Sequence, residues 1–216
     1  MIIEQLTVGR MAVFCYLVAC EKTRQTLVVD PAGDEDRIVD EARRAGLDIR
    51  YIFNTHGHPD HTCGNARLKE LTGADIVMQA ADDDLFNSPQ GVEMARMWGF
   101  KPSPPADIRL DGDVDFQLGD LTLKVLHTPG HTPGGCCLLA DGNLITGDTL
   151  FVGSGGRTDL PGASLPVMLD SLRRLLTLPE ETVVWPGHDY GDRPTSTIGR
   201  EKQTNVYVIE FDLLEG

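Results

Sequence analysis

The residues able to do chemistry in this 216-residue chain are concentrated in a few short segments. Of six histidines, three lie in His56-Gly57-His58-Pro59-Asp60-His61; the others are His127, His131 and His188, and Asp148 adds a carboxylate. Neutral imidazole and carboxylate are good ligands for zinc and iron. Packing gives no reason for four ligand-capable residues in six positions. Two histidines two apart on a tight glycine-containing loop can aim at one ion. Pro59 suits the first position of a helical turn, which would carry Asp60 and His61 toward a second ion. His56, His58, Asp60, His61, His131, Asp148 and His188 are too many for one tetrahedral ion. They suit two, if one carboxylate bridges. A lone histidine is usually a surface or hydrogen-bonded residue, and His127 is read that way.

The elements that must position these groups are short and alternate in type. Apolar strands are expected at Ala12–Ala19, Gln25–Asp30, Ile49–Phe53 and Asp75–Gln79, then at Leu121–Leu126, Cys136–Ala140, Leu144–Thr146 and Thr182–Trp185. Helices are expected at Asp34–Ala45, Asn65–Leu71 and Leu165–Leu178. His56, His131, Asp148 and His188 each follow a strand, and in a layered α/β protein those strand ends share one edge where loops build a site. Strands followed by a helix, twice over, suggest two packed sheets with helices outside. Residues 81–106 differ: an acidic run (Asp82, Asp83, Asp84), an amphipathic stretch from Val92 to Trp98, and Pro102-Ser103-Pro104-Pro105. They read as a helical insertion in a single domain spanning 1–216, either a surface excursion or a lid or substrate wall.

Composition narrows the function classes. A net charge of −14 argues against a nucleic-acid binder, which carries a basic stripe, and against docking on anionic lipid. The apolar runs are far short of a membrane span, and no signal peptide is apparent near the N-terminus. Five cysteines without a C-x-x-C pair give neither a disulfide framework nor a zinc finger, so a reducing cytoplasm is the expected location. Cys63, Cys136 and Cys137 read as small buried residues. No G-x-S-x-G elbow supports a serine hydrolase. Gly153-Ser154-Gly155-Gly156 reads as a glycine turn before an anion cradle. Arg157 would bind a substrate carboxylate or pair with a nearby aspartate.

With these residues in hand, Thr55-His56-Gly57-His58-Pro59-Asp60-His61 resembles the signature of the metallo-β-lactamase superfamily. Thr128-Pro129-Gly130-His131-Thr132, Ile145-Thr146-Gly147-Asp148 and Pro186-Gly187-His188 resemble its further motifs. The resemblance implies an αββα four-layer sandwich with metals at one edge. It also implies a first site of His56, His58 and His131, a second of Asp60, His61 and His188, and Asp148 shared by both. True β-lactamases of this type usually carry cysteine at the position of Asp148, and flavodiiron relatives a carboxylate at that of His58, so neither branch is expected. Gly147-Asp148-Thr149-Leu150-Phe151 with Gly156-Arg157 is similar to glyoxalase II-like thioester hydrolases and to persulfide dioxygenases. Arg157-Thr158-Asp159, His188-Asp189-Tyr190 and Ser196-Thr197 lean toward the latter.

The resulting expectation is a hydrolase of thioesters or similar acyl bonds. It would use two divalent ions, zinc first and iron or a mixed pair second, with Asp60 and Asp148 as catalytic residues and Arg157 at the substrate. The alternative is a persulfide dioxygenase with a single iron at His56, His131 and Asp148. The expected partner is a small thioester or thiol conjugate, with no nucleic acid and no membrane. Glutathione recognition is not carried over, because glyoxalase II holds it with a C-terminal helical domain. Val92–Phe100 would either cover the site or pack in a homodimer.

Overall fold

The computed structural model describes residues 1–214. Its elements run β1 (Ile2–Val8), β2 (Val13–Ala19), β3 (Gln25–Val29), α1 (Glu35–Arg44), β4 (Asp48–Phe53), α2 (Pro59–Thr62), α3 (Asn65–Thr72), β5 (Asp75–Gln79), α4 (Ala80–Phe86) and α5 (Pro89–Met97). Then come β6 (Ile108–Leu110), β7 (Val114–Leu118), β8 (Leu121–His127), β9 (Cys136–Ala140), β10 (Asn143–Gly147), β11 (Leu150–Phe151) and β12 (Ser154–Gly155). The chain continues with α6 (Leu165–Leu175), β13 (Val183–Pro186), β14 (Ser196–Thr197), α7 (Ile198–Thr204) and α8 (Val206–Glu210).

Two six-stranded sheets face each other, ordered β1-β2-β3-β4-β5-β6 and β14-β13-β10-β9-β8-β7. The period-two alternation of a strand explains how β2, buried throughout, serves both its faces. Phe14, Tyr16 and Val18 join Leu123, Val125 and Leu138 of the opposite sheet in the central core. Cys15, Leu17 and Ala19 point the other way, toward Ile38 and Ala42 of α1 and Leu68 of α3. On the far side, Cys137, Leu144 and Val184 meet Met168, Leu172 and Leu175 of α6, with Ile198 and Val208. The result is helix, sheet, sheet, helix: the four-layer αββα sandwich.

Strand direction sets where the site falls. β3, β4, β5 and β6 pair in parallel. β9 is antiparallel to both β8 and β10, and β10 is parallel to β13, so β8, β10 and β13 run the same way. Their carboxyl ends share one edge. There the two sheets are stitched together: the Phe14 amide donates to the Gly187 carbonyl at 2.8 Å, the Cys136 amide to the Thr55 carbonyl at 2.8 Å, and the Tyr16 hydroxyl to the Pro186 carbonyl at 2.5 Å.

Several expectations are corrected in detail. Helix α6 stops at Leu175, three residues before the end expected from its apolar pattern. The 81–106 segment holds helices, as expected, α4 and α5, and of its acidic run Asp82 and Asp83 are buried while Asp84 is exposed. Cys63 is half-buried rather than buried. Gly153-Ser154-Gly155-Gly156 is a turn segment, as expected, with Ser154 and Gly155 forming the second strand of the β11–β12 hairpin. The Gly153 amide already donates to Glu201 Oε2 at 2.8 Å, which leaves it no free donor for an anion. Among the described residues no helix is long and apolar enough to cross a membrane.

Candidate metal centre

Each loop that follows a strand at the shared edge delivers its side chain to one point. β4 leads through Asn54 and Thr55 to His56, and α2 begins at Pro59 with His58 as its N-cap. That short turn carries Asp60 and His61 toward His188, while the His61 ring stays 4.2 Å from that of His56. β8, β10 and β13 lead to His131, Asp148 and His188. Two glycines make room. A Cβ on Gly147, whose φ is +48°, would lie 2.2 Å from Thr55 Oγ1, and one on Gly187 would lie 2.3 Å from Asp148 Oδ1; any side chain at either place would displace the cluster.

Three groups of ligand-capable atoms result: His56, His58 and His131; Asp60, His61 and His188; and Asp30, His56 and His61, which shares one ring with each of the first two sets. His58 Nδ1 stands 2.9 Å from His131 Nε2, and His61 Nε2 stands 3.1 Å from His188 Nε2. Tetrahedral coordination at about 2.0–2.1 Å puts ligand nitrogens roughly 3.3 Å apart, so these spacings suit pairs that share an ion. Asp148 lies between the sets, with Oδ1 3.4 Å from His61 Nε2 and Oδ2 3.6 Å from His131 Nε2 and 3.7 Å from His188 Nε2. Asp60 Oδ2 is 3.8 Å from the Nε2 atoms of both His61 and His188. The seven residues named from the sequence are therefore all brought together. His127 stands apart, donating through Nε2 to the Pro133 carbonyl at 2.9 Å.

The surroundings orient the rings. Asp30 Oδ2 accepts from Thr55 Oγ1 at 2.7 Å and from His61 Nδ1 at 3.0 Å. With its proton committed to Asp30, Thr55 Oγ1 accepts from His56 Nδ1 at 3.1 Å. His131 Nδ1 donates to the Arg157 carbonyl at 2.8 Å. These bonds leave lone pairs on the Nε2 atoms of His56, His61 and His131, the arrangement that outer-shell partners give metal-binding histidines. His56 Nε2, His58 Nε2, Asp148 Oδ1 and His188 Nδ1 are buried with no hydrogen-bond partner. Buried polar atoms are normally satisfied, and His56 Nε2 and Asp148 Oδ1 fit a cation that completes them; His58 Nε2 and His188 Nδ1 lie on the opposite side of their rings from the nitrogens that meet His131 and His61.

Protonation follows the same logic. Burial, reinforced by repulsion from His61 and His131, holds His56 far below the usual imidazole range. Burial and His131 bring His58 to about 3, and burial lowers His188. Those rings are neutral and able to ligate. His61 is the exception: burial pushes it down, but Asp148, Asp60 and Asp30 together raise it to about 10. The carboxylates demand a positive charge at this point, which a proton or a divalent ion satisfies.

Two features were not read from the sequence. Asp30 gave no signal beyond closing a strand before a proline. Asp82 in α4 accepts from the Gly57 amide at 2.7 Å, from Thr132 Oγ1 at 2.7 Å and from the Gly134 amide at 2.5 Å, so it ties the His56–His58 loop to the His131 loop. Trp98 and Phe100, from the stretch expected either to cover the site or to pack in a homodimer, line a cleft of about 460 Å³ above the centre together with Met11 and Tyr190. Arg157 also lines this cleft, but its guanidinium pairs with Asp159, at 2.6 and 2.8 Å. Of its two expected partners, the nearby aspartate holds it in this structure.

A four-layer αββα sandwich with a histidine and carboxylate centre at one sheet edge is the architecture of metal-dependent hydrolases. The chain belongs to the metallo-beta-lactamase superfamily, whose family model matches residues 8–188. It is 29% identical to the probable polyketide biosynthesis zinc-dependent hydrolase BaeB of Bacillus velezensis, covering 90% of this chain and 80% of that one. It is 33% identical to ETHE1 from Myxococcus xanthus, with a TM-score of 0.80 over 95% of this chain and 84% of that one. It is also 33% identical to TTHA1623, whose structure was solved in a di-iron-bound form, with a TM-score of 0.83 over 94% of this chain and 99% of that one.

Proposed function

We propose that this protein hydrolyses a thioester or similar acyl bond, in the manner of glyoxalase II, with two divalent ions held by His56, His58 and His131 and by Asp60, His61 and His188. The observation that carries this reading is the position of Asp148 between two facing sets, with an oxygen within 3.4 Å of His61 and another within 3.6 Å of His131. Two ions held there would act as Lewis acids for the carbonyl and lower the pKa of a bound water toward about 7. The zinc-dependent hydrolase BaeB and the di-iron form of TTHA1623 support it as relatives.

The chain's own residues do the positioning. Asp148 fixes the spacing of the two sets, and Asp30 and Thr55 hold the rings of His61 and His56 in their ligating tautomers. Asp60 completes the second set: against the effect of burial, the neighbouring His61, His58 and His188 hold its carboxyl below the usual carboxylate range, so it is ionised and able to ligate. Cys63, beside the ligand motif in the sequence, is no competing nucleophile. Burial, with Glu35 and Asp60 adding, pushes the Cys63 thiol up to about 11, and that thiol donates to the Ala32 carbonyl. The test is turnover of simple thioesters by zinc-loaded protein and by Asp148→Ala. Metal-dependent turnover that the variant lacks supports the reading; zinc-loaded protein inert toward every thioester overturns it.

A second reading, a mononuclear iron persulfide dioxygenase using His56, His131 and Asp148, is favoured by the likeness to ETHE1. It meets one difficulty: His58 stands 2.9 Å from His131, so an ion at that position meets a third imidazole. Oxygen uptake by iron-loaded protein given glutathione persulfide tests it directly.

A further inference from the structure

The cleft above the centre has walls of a different character from its floor. The floor is polar: His58, Asp60, His131, Asp148 and His188. The walls leave large apolar side chains open to water, with Met11 48%, Trp98 38% and Tyr190 63% exposed, and more of the cleft's surface is apolar than polar. Exposed apolar surface is ordinary when scattered, but gathered in a concavity over convergent polar groups it marks a ligand site.

The walls stand at the two ends of the centre. The Trp98 ring lies 6.4 Å from that of His58, beside the first ligand set. Tyr190 stacks on His188 at 4.7 Å and 5°, beside the second. The Trp98 wall is held in shape although it lies beyond the end of α5. Arg10, in the β1–β2 turn, donates to the Trp98 carbonyl, and its guanidinium sits 3.9 Å over the Phe100 ring. Met11 follows directly. Both arginines at the rim are thus engaged, Arg10 with Trp98 and Phe100, Arg157 with Asp159. The cleft therefore presents apolar surface rather than a free cation to an arriving group.

We infer that the Trp98 and Met11 wall takes an apolar acyl chain, so that the protein selects thioesters with a medium-length aliphatic or aromatic acyl group over acetyl. This rests on the acyl-bond hydrolysis proposed above. The fixed position of the wall means that little ordering is needed when the chain binds, which favours a graded response to chain length.

The test uses zinc-loaded protein and the acetyl, butyryl and hexanoyl thioesters of N-acetylcysteamine, a neutral carrier that gives the arginines nothing to bind. Burial of one methylene corresponds to about a 4-fold gain in kcat/KM, so each two-carbon step of the series should raise it by up to about 16-fold. Trp98→Ala with Met11→Ala should flatten the series while metal content stays the same. Binding provides a readout independent of turnover. The chain has two tryptophans, and the inert S-hexyl thioether of N-acetylcysteamine should alter the fluorescence of Trp98, binding at least about 10-fold tighter than the S-methyl one. Trp98→Phe should abolish that signal. Thioester turnover with no dependence on chain length overturns this inference and leaves the hydrolase reading standing. Chain-dependent binding without turnover of any thioester overturns the hydrolase reading and leaves the apolar wall standing. Neither binding nor turnover overturns both.

Discussion

Replacing Asp82 with asparagine should weaken the centre although Asp82 does not reach it. Its carboxylate accepts three hydrogen bonds, from the Gly57 amide and Thr132 Oγ1 on one oxygen and the Gly134 amide on the other. Burial raises its pKa, while those three donors pull it down. Asparagine keeps the shape but has only one acceptor oxygen, so at least one buried donor meets an NH2 group. A buried donor left unsatisfied costs about 1–3 kcal/mol, which for a chain of this size is a fall in Tm of roughly 3–10 °C. Alanine leaves all three donors without a partner and should cost about 3–5 kcal/mol. The loops involved carry His56, His58 and His131, and loss of an outer-shell partner typically weakens metal affinity about 10- to 100-fold. Thermal unfolding with and without zinc, and competition with a chelator, read both effects. An Asp82→Asn protein matching the wild type in Tm and in zinc affinity would refute the claim that α4 sets the register of these two loops.

Three further outcomes are expected. Asp148→Ala should lose metal from at least one set, as counted by elemental analysis after dialysis; full occupancy with full activity contradicts the bridging assignment. In the metal-free protein, His61 is raised to about 10, so the stability it confers is complete below the unfolded value of about 6.5 and fades as pH rises through about 10. The Tm difference between wild type and His61→Ala in chelator should therefore shrink from pH 6 to pH 10.5, and a constant difference would count against carboxylate stabilisation of that ring. Asp159→Asn frees the Arg157 guanidinium and should lower KM for carboxylate-bearing thioesters by about 2- to 5-fold, the scale of an exposed ion pair, with neutral ones unaffected; equal effects on both would remove Arg157 from substrate contact.

The sequence carried the centre well because its signal is local. His56 to His61 put four ligand-capable residues in one turn, and the remaining three each follow an apolar strand, so the edge they share was legible before the sheets were paired. What supports the centre was not legible. Asp30 and Asp82 act through contacts across 25 residues or more, Asp30 to Thr55 and Asp82 to Thr132, and neither sits in a pattern of its own. Asp82 reads as part of a charge run, and only its packing against Gly57 and Gly134 reveals that it is buried. Short elements such as β11, β12 and β14, of two residues each, have no periodicity to detect. Arg157 illustrates a different limit: spacing placed it near the centre, but its pairing with Asp159 is set by side-chain geometry.

The most direct test of the central claim is thioester turnover followed as zinc is added to metal-free protein, one equivalent at a time. Two sets sharing Asp148 predict that activity continues to climb through the second equivalent and then levels. A plateau at the first equivalent, or no turnover at either, would contradict a two-ion hydrolase.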